Sequence, residues 1–148
     1  MNLLSVSQST SQKKAPRWAL SPIVGSWIFS AMIVGGQERP PFNPDLKMCF
    51  EFSEQQESHL KYFRTNEKGQ CERWGQYSYD GIKLHDKVVR VNPENRSECG
   101  MDTDMRLGTE TFTPVHVAQD GRLFMKIPVG DDEIYLIYNR IDSCPTQN

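Results

Sequence analysis

The sequence has no CxxC or CxH pair, no stripe of Lys and Arg, no nucleophile elbow, no phosphate loop and no long unbroken apolar run. Each absence removes a class of function. Without close Cys and His pairs, a structural zinc site has no ligand set. With 17 Lys and Arg against 19 Asp and Glu, the net charge of −2 cannot attract a polyanion, so nucleic acid is excluded as a partner. Residues 18–36 carry no charge, yet Pro22, Gly25, Gly35, Gly36 and three serines break the run. It is too polar for a membrane-spanning helix, and its apolar part, residues 27–34, has the length of a strand. Without a Ser-His-Asp spacing or a phosphate loop, no catalytic residue is assigned and no enzyme is expected. No metal and no cofactor is expected either.

Helical periodicity is nearly missing too, and period-two patterning takes its place. Strands are expected at 25–34, 46–53, 58–65, 70–80, 82–92 (one bent strand or two), 107–118, 122–129 and 133–141. Turn residues separate them, including Asp80 with Gly81 and Gln119-Asp120-Gly121. The stretch 35–45 holds three prolines and two glycines and is expected to lack regular structure. One short helical turn is left open, in the tail or in the loop 93–106. On 46–53, Leu46, Met48, Phe50 and Phe52 share one face, with Lys47, Cys49 and Glu51 on the other. On 122–129, Leu123, Met125 and Ile127 oppose Arg122, Phe124 and Lys126. Eight or nine strands in chain order have exposed edges unless they close, so the fold class is all-β, an eight- to nine-stranded antiparallel up-and-down barrel. Residues 1–20 read as a disordered tail, 21–141 as the barrel and 142–148 as a C-terminal tail.

Gly25-Ser26-Trp27 opens the first strand, and Arg140 ends the last one in Tyr-Asn-Arg-Ile. This pair resembles the GxW motif and the terminal Arg of lipocalins and other calycins. The stretch WGQYSYDGIKL and the closing IYLIYNR resemble small bacterial lipocalin-like proteins. The resemblance covers residues 22–141, although the TDYxxY motif of secreted lipocalins is absent. It implies a lipocalin-like barrel whose closed end is built by Trp27 and Arg140, the guanidinium lying across the indole. It also implies a small-molecule ligand and a tail cysteine tied to a middle strand. On that analogy Cys144 would bond Cys71, leaving Cys49 with Cys99.

From the residues alone, the four cysteines Cys49, Cys71, Cys99 and Cys144 allow three pairings. Their even number leans toward an oxidising compartment, secreted or periplasmic. Phe29, Phe50, Phe52, Tyr62, Trp74, Met125 and Tyr138 are the candidate lining of a ligand cavity, with Trp74, Gln76 and Tyr138 as its polar handles. The same side chains could instead fill a solid core, and the sequence leaves that open. Glu94, Glu98, Asp102 and Asp104 crowd one loop without the spacing of a calcium motif and read as solvated turn residues. His59, His85 and His116 fall on three different strands and read as separate. Asn95-Arg96-Ser97 matches a glycosylation sequon and is read as chance.

Two functions remain. The first is binding of a small apolar or amphipathic molecule inside the barrel, with the loop 35–45 as a lid opposite Trp27. The second is a filled barrel acting as a protein–protein interaction or inhibitor module of the cell envelope. Tyr135 and Ile137, on an outer face, leave room for contact with the tail or for a homodimer. An avidin-like biotin site is disfavoured, because Trp74 is the only tryptophan beyond the first strand.

Overall fold

The computed structural model describes residues 21–147. The strands are β1 (Gly25–Val34), β2 (Gln37–Arg39), β3 (Leu46–Phe52), β4 (Glu57–Arg64), β5 (Cys71–Tyr79), β6 (Lys83–Val91), β7 (Glu110–Val117), β8 (Leu123–Val129) and β9 (Asp132–Ile141). They form one antiparallel sheet in the order β2-β1-β3-β4-β5-β6-β7-β8-β9. Pairing of β1 with β9 from Ser26↔Ile141 to Ile33↔Tyr135 closes eight strands into a barrel, with β2 as an extra strand. Closure removes the two open edges that a meander of this length would otherwise expose.

The period-two reading places most side chains correctly. Met48, Phe50 and Phe52 face inward, as do Leu123 and Met125. Two bulges adjust the register. One falls between Phe29 and Ala31 opposite β9, where the Ser30 hydroxyl donates to the carbonyl of Ile137. The other sits at Val89, so 83–91 is one bent strand rather than two. A bulge adds a residue to one strand and switches the face of everything beyond it.

Residues 35–45 contain regular structure after all. Gln37, Glu38 and Arg39 pair with Val34, Ile33 and Met32 before the prolines begin. A three-residue hairpin arm needs no interior position, so the downstream prolines do not forbid it. The open helical turn in 93–106 resolves into two short 3₁₀ turns, Ser97–Met101 and Thr103–Met105.

The disulfides are Cys49–Cys144 and Cys71–Cys99, with Cα separations of 5.8 and 5.6 Å. The pairing expected by analogy, Cys71 with Cys144 and Cys49 with Cys99, is therefore wrong. Cys49 lies on the outer face of β3, where the segment after β9 passes. Cys71 lies on the inner face of β5 at the open end, beneath the 3₁₀ turns. The C-terminal segment continues outside the wall to a hydrogen bond from the Gln147 side chain to the carbonyl of Glu67. The tail expected at 1–20 lies outside the described residues. No helix among the described residues is long and apolar enough to cross a membrane.

Cys71–Cys99 closes a loop with a sequence separation of 28. Replacing both cysteines by serine is expected to lower unfolding stability by about 2–4 kcal/mol, read from urea denaturation. An unchanged midpoint would mean that the 3₁₀ turns hold without the bridge.

Candidate ligand-binding cavity

The barrel has a filled end and a hollow end. At the filled end Trp27 is 0% exposed, and its indole N–H donates to the carbonyl of Ile23 at 2.8 Å. The Arg140 guanidinium carbon lies 4.3 Å from the indole centroid. Its two terminal nitrogens donate to the carbonyls of Val24 and Pro22 at 2.8 and 3.0 Å. Gly25 has φ +136°, and a Cβ there would collide with Arg140 Nη1. The glycine of the GxW triplet thus serves both a backbone conformation and a close approach. Phe52 stacks on Phe50 with centroids 4.8 Å apart and meets Tyr77 edge-on at 5.1 Å, completing the plug.

Above the plug lies a polar cluster that no sequence pattern announced. Arg73 and Asp86 are each 2% exposed and face each other inside the barrel. Arg73 Nη2 donates to Asp86 Oδ2 at 2.9 Å, and Nη1 donates to the Ser58 hydroxyl at 3.0 Å. Ser58 in turn donates to Asp86 Oδ1 at 2.6 Å, and Arg73 Nε donates to the backbone carbonyl of Asp104 at 3.1 Å. Burying these charges is tolerable because each is paired and hydrogen-bonded. Gly75 makes the room: a Cβ there would stand 2.5 Å from Ser58 Oγ and 2.6 Å from Asp86 Oδ1. The guanidinium also lies 5.2 Å from the Phe50 centroid.

From this cluster toward the open end runs a cavity of about 500 Å³. Met48, Phe50, Leu60, Leu84, Met125 and Leu136 supply apolar wall, while Arg73, Asp86, Asp104 and Tyr138 supply its polar groups. The cavity also meets Thr111 and Thr113 of β7 and Ile127 and Pro128 of β8. There the two strands part: they pair only at Val115, His116 and Val117 against Met125, Phe124 and Leu123. The cause is Pro114. Val115 N–H points to β6, where it bonds the carbonyl of Ile82, and Ala118 N–H points to β8, where it bonds that of Arg122. The even positions of β7 therefore face β8, and Pro114 has no donor to offer. The ladder stops at that residue.

The cover of the open end is the 3₁₀ segment, which contributes Thr103 and Asp104 to the lining. Asp102 accepts a hydrogen bond from the Tyr62 hydroxyl at 2.9 Å, and the Cys71–Cys99 bridge ties the segment to β5. The loop 35–45 contributes nothing to the cavity lining and is not its lid.

Of the seven residues proposed as lining, Phe50, Met125 and Tyr138 line the cavity. Phe52 belongs to the plug, and Phe29 packs against the core with its ring 5.8 Å from that of Tyr138. Tyr62 points inward but is held by Asp102 at the rim. Trp74 is a correction: it lies on the outer face of β5, as does Gln76, which is exposed. The Trp74 ring stacks on His59 at 5.2 Å and carries the Arg90 guanidinium at 3.9 Å. The alternative phase puts Cys71, Arg73, Gly75, Tyr77 and Tyr79 inside, which an apolarity rule rejects because it contains an arginine and a glycine. A glycine beside an inward arginine was the available signal, since the hole at Gly75 is what the charged cluster needs.

The three histidines each oppose an aromatic residue on the adjacent strand: His59 on Trp74, His85 on Phe112, His116 on Phe124. His59 also sits between Glu51 and Glu72, at 2.9 and 2.6 Å. Among the described residues no group of three or more His, Cys, Asp or Glu is arranged to hold a metal ion. The Asn95 side chain accepts from the N–H of Glu72 and donates to its carbonyl.

No family model and no curated protein matches the chain. A solved lipocalin-like protein from Bacteroides uniformis superposes with a TM-score of 0.53 at 13% identity, covering 82% of this chain and 100% of that one. The fold is lipocalin-like. The closing contact of Trp27 with Arg140, expected from the two motifs, is present in this lipocalin-like barrel, and the interior above it is hollow.

Burial pushes the Asp104 carboxyl above the ordinary carboxylate range, and the charge of Asp102 adds to the effect. Below the ordinary range Asp104 is protonated in both folded and unfolded chains and contributes nothing. As pH rises, the unfolded chain ionises first, so stability falls until the folded-state carboxyl has ionised as well. Asp104→Asn is therefore expected to raise the Tm at about pH 7 and to leave it unchanged near about pH 3. A gain of equal size at both pH values would assign the effect to packing instead.

Proposed function

We propose that the protein binds a small apolar or amphipathic molecule inside its lipocalin-like barrel and performs no chemistry on it. The observation that carries this reading is the cavity of about 500 Å³. It has the size and character of small-molecule sites: mostly apolar walls, with a few polar groups converging from different strands. Its slot between β7 and β8 offers a route to solvent. The plug of Trp27, Phe52 and Tyr77 holds the scaffold without taking part in the site. The protein–protein reading required a solid interior, and the hollow half favours the binding reading over it. Two disulfides favour an oxidising compartment, so the binder is assigned to the periplasm or the exterior.

The test is native mass spectrometry of the protein as purified, repeated after mild denaturation, together with titration of an apolar fluorescent probe. A co-purifying mass lost on unfolding, or saturable probe binding weakened by Met125→Trp, is the expected result. A bare mass and no probe binding would remove the carrier reading and return the search to a protein partner.

A further inference from the structure

The cavity is built around charges, and their balance selects the ligand's head group. Besides Tyr138, three charge-bearing side chains among the described residues line it: Arg73, Asp86 and Asp104. The ion pair of Arg73 with Asp86, at 2.9 Å, cancels two of them and is further locked by Ser58. The arginine is thereby spent within the wall and leaves no net positive charge for a ligand's anion. What remains is Asp104. Its backbone is fixed from two sides, its carbonyl by Arg73 Nε and its N–H by Asp102 Oδ1 at 2.9 Å. Among the described residues no cation forms an ion pair with its carboxylate. Asp102 lies beside it and adds a second negative charge at the rim, held by Tyr62. The Tyr138 hydroxyl, buried in the same wall, stays protonated because burial pushes its ionisation up, so it adds no charge. The pocket is thus apolar along its length and negative at its covered end.

We propose that the ligand is a cationic amphiphile, an alkyl- or arylammonium whose protonated nitrogen is received by Asp104 while its apolar body lies along Met48, Leu60, Met125 and Leu136. This rests on the reading of the cavity as the binding site. An ammonium supplies the direct ion-pair partner that the Asp104 carboxylate lacks among the described residues, and it forms a charge-assisted hydrogen bond to that carboxylate. A carboxylate or phosphate head would meet Asp104 as a like charge, in a place where solvent screening is weak.

The experiment is isothermal titration of the full chain with octylammonium, octanol and octanoate, which share one apolar body and differ only in head group. Octylammonium is expected to bind at least about tenfold more tightly than octanol, with octanoate the weakest of the three. In Asp104→Asn the preference for octylammonium over octanol is expected to vanish while octanol affinity is retained, which also shows that the variant is folded. Octanoate binding more tightly than octylammonium would overturn the ammonium assignment and leave the carrier reading intact. An ammonium preference unchanged in Asp104→Asn would overturn the role of Asp104. If none of the three binds, the carrier reading fails and this inference fails with it.

Discussion

Asp86→Asn is expected to destabilise the protein by about 3–5 kcal/mol, because it leaves the Arg73 charge buried with no counter-charge. For a domain of this size that is a fall in Tm on the order of 10 °C or more. The arginine cannot escape to water: it is 2% exposed, and its position is fixed by Ser58 and by the carbonyl of Asp104. The loss belongs to the broken pair rather than to the pair's own worth. A second variant, Arg73→Met with Asp86→Leu, removes both charges and is expected to recover most of the stability. Thermal unfolding of the two variants decides the matter. If Asp86→Asn melts with the parent protein, water reaches the cluster and the low-dielectric account of the cavity is wrong. The same variant should also raise the affinity for octanoate, since it frees a positive charge in the wall.

Trp27→Ala is expected to cost about 3–5 kcal/mol, the range for removing a buried large aromatic side chain. Three interactions go at once. The indole is 0% exposed, its N–H bonds the carbonyl of Ile23, and its face carries Arg140. Arg140 in turn holds the carbonyls of Pro22 and Val24, so the segment before β1 loosens with the ring. Urea denaturation gives the magnitude. Ligand affinity, measured where the variant is still folded, should hardly change, because Trp27 lies at the plugged end and does not line the cavity. A large loss of affinity at full folding would show that the plug and the cavity are coupled.

How much could be read in advance varied from strand to strand for physical reasons. On β3 and β8 the apolar face and the polar face differ sharply, so Phe50 and Met125 were placed in the interior from alternation alone. On β5 the two faces compete. The outward face carries Trp74, whose ring is covered by His59 and Arg90, and the inward face carries Arg73, whose charge is covered by Asp86. Each covering partner comes from a different strand, so hydropathy along β5 gives the wrong phase. The cysteines failed for a related reason. Cys49 was correctly placed on the outer face, but the path of the residues after β9 was needed to show that Cys144 comes to it. Asp104 was visible as an acidic residue in a turn; that the turn folds over the mouth of the barrel was not.

The sequence by itself determined the class of fold, the order of the barrel strands, and the contact that closes them. Those features rest on period-two patterning, on turn residues between the strands and on two terminal motifs, all of them local along the chain. The tertiary structure alone decided that half the barrel is hollow, that an ion pair stands in its wall, and which cysteines meet. A cavity is the difference between the enclosed space and the volumes that fill it. An ion pair or a disulfide is a meeting of residues brought together by closure. Neither quantity is carried by any single strand, so both appear only when the sheet has been wound shut.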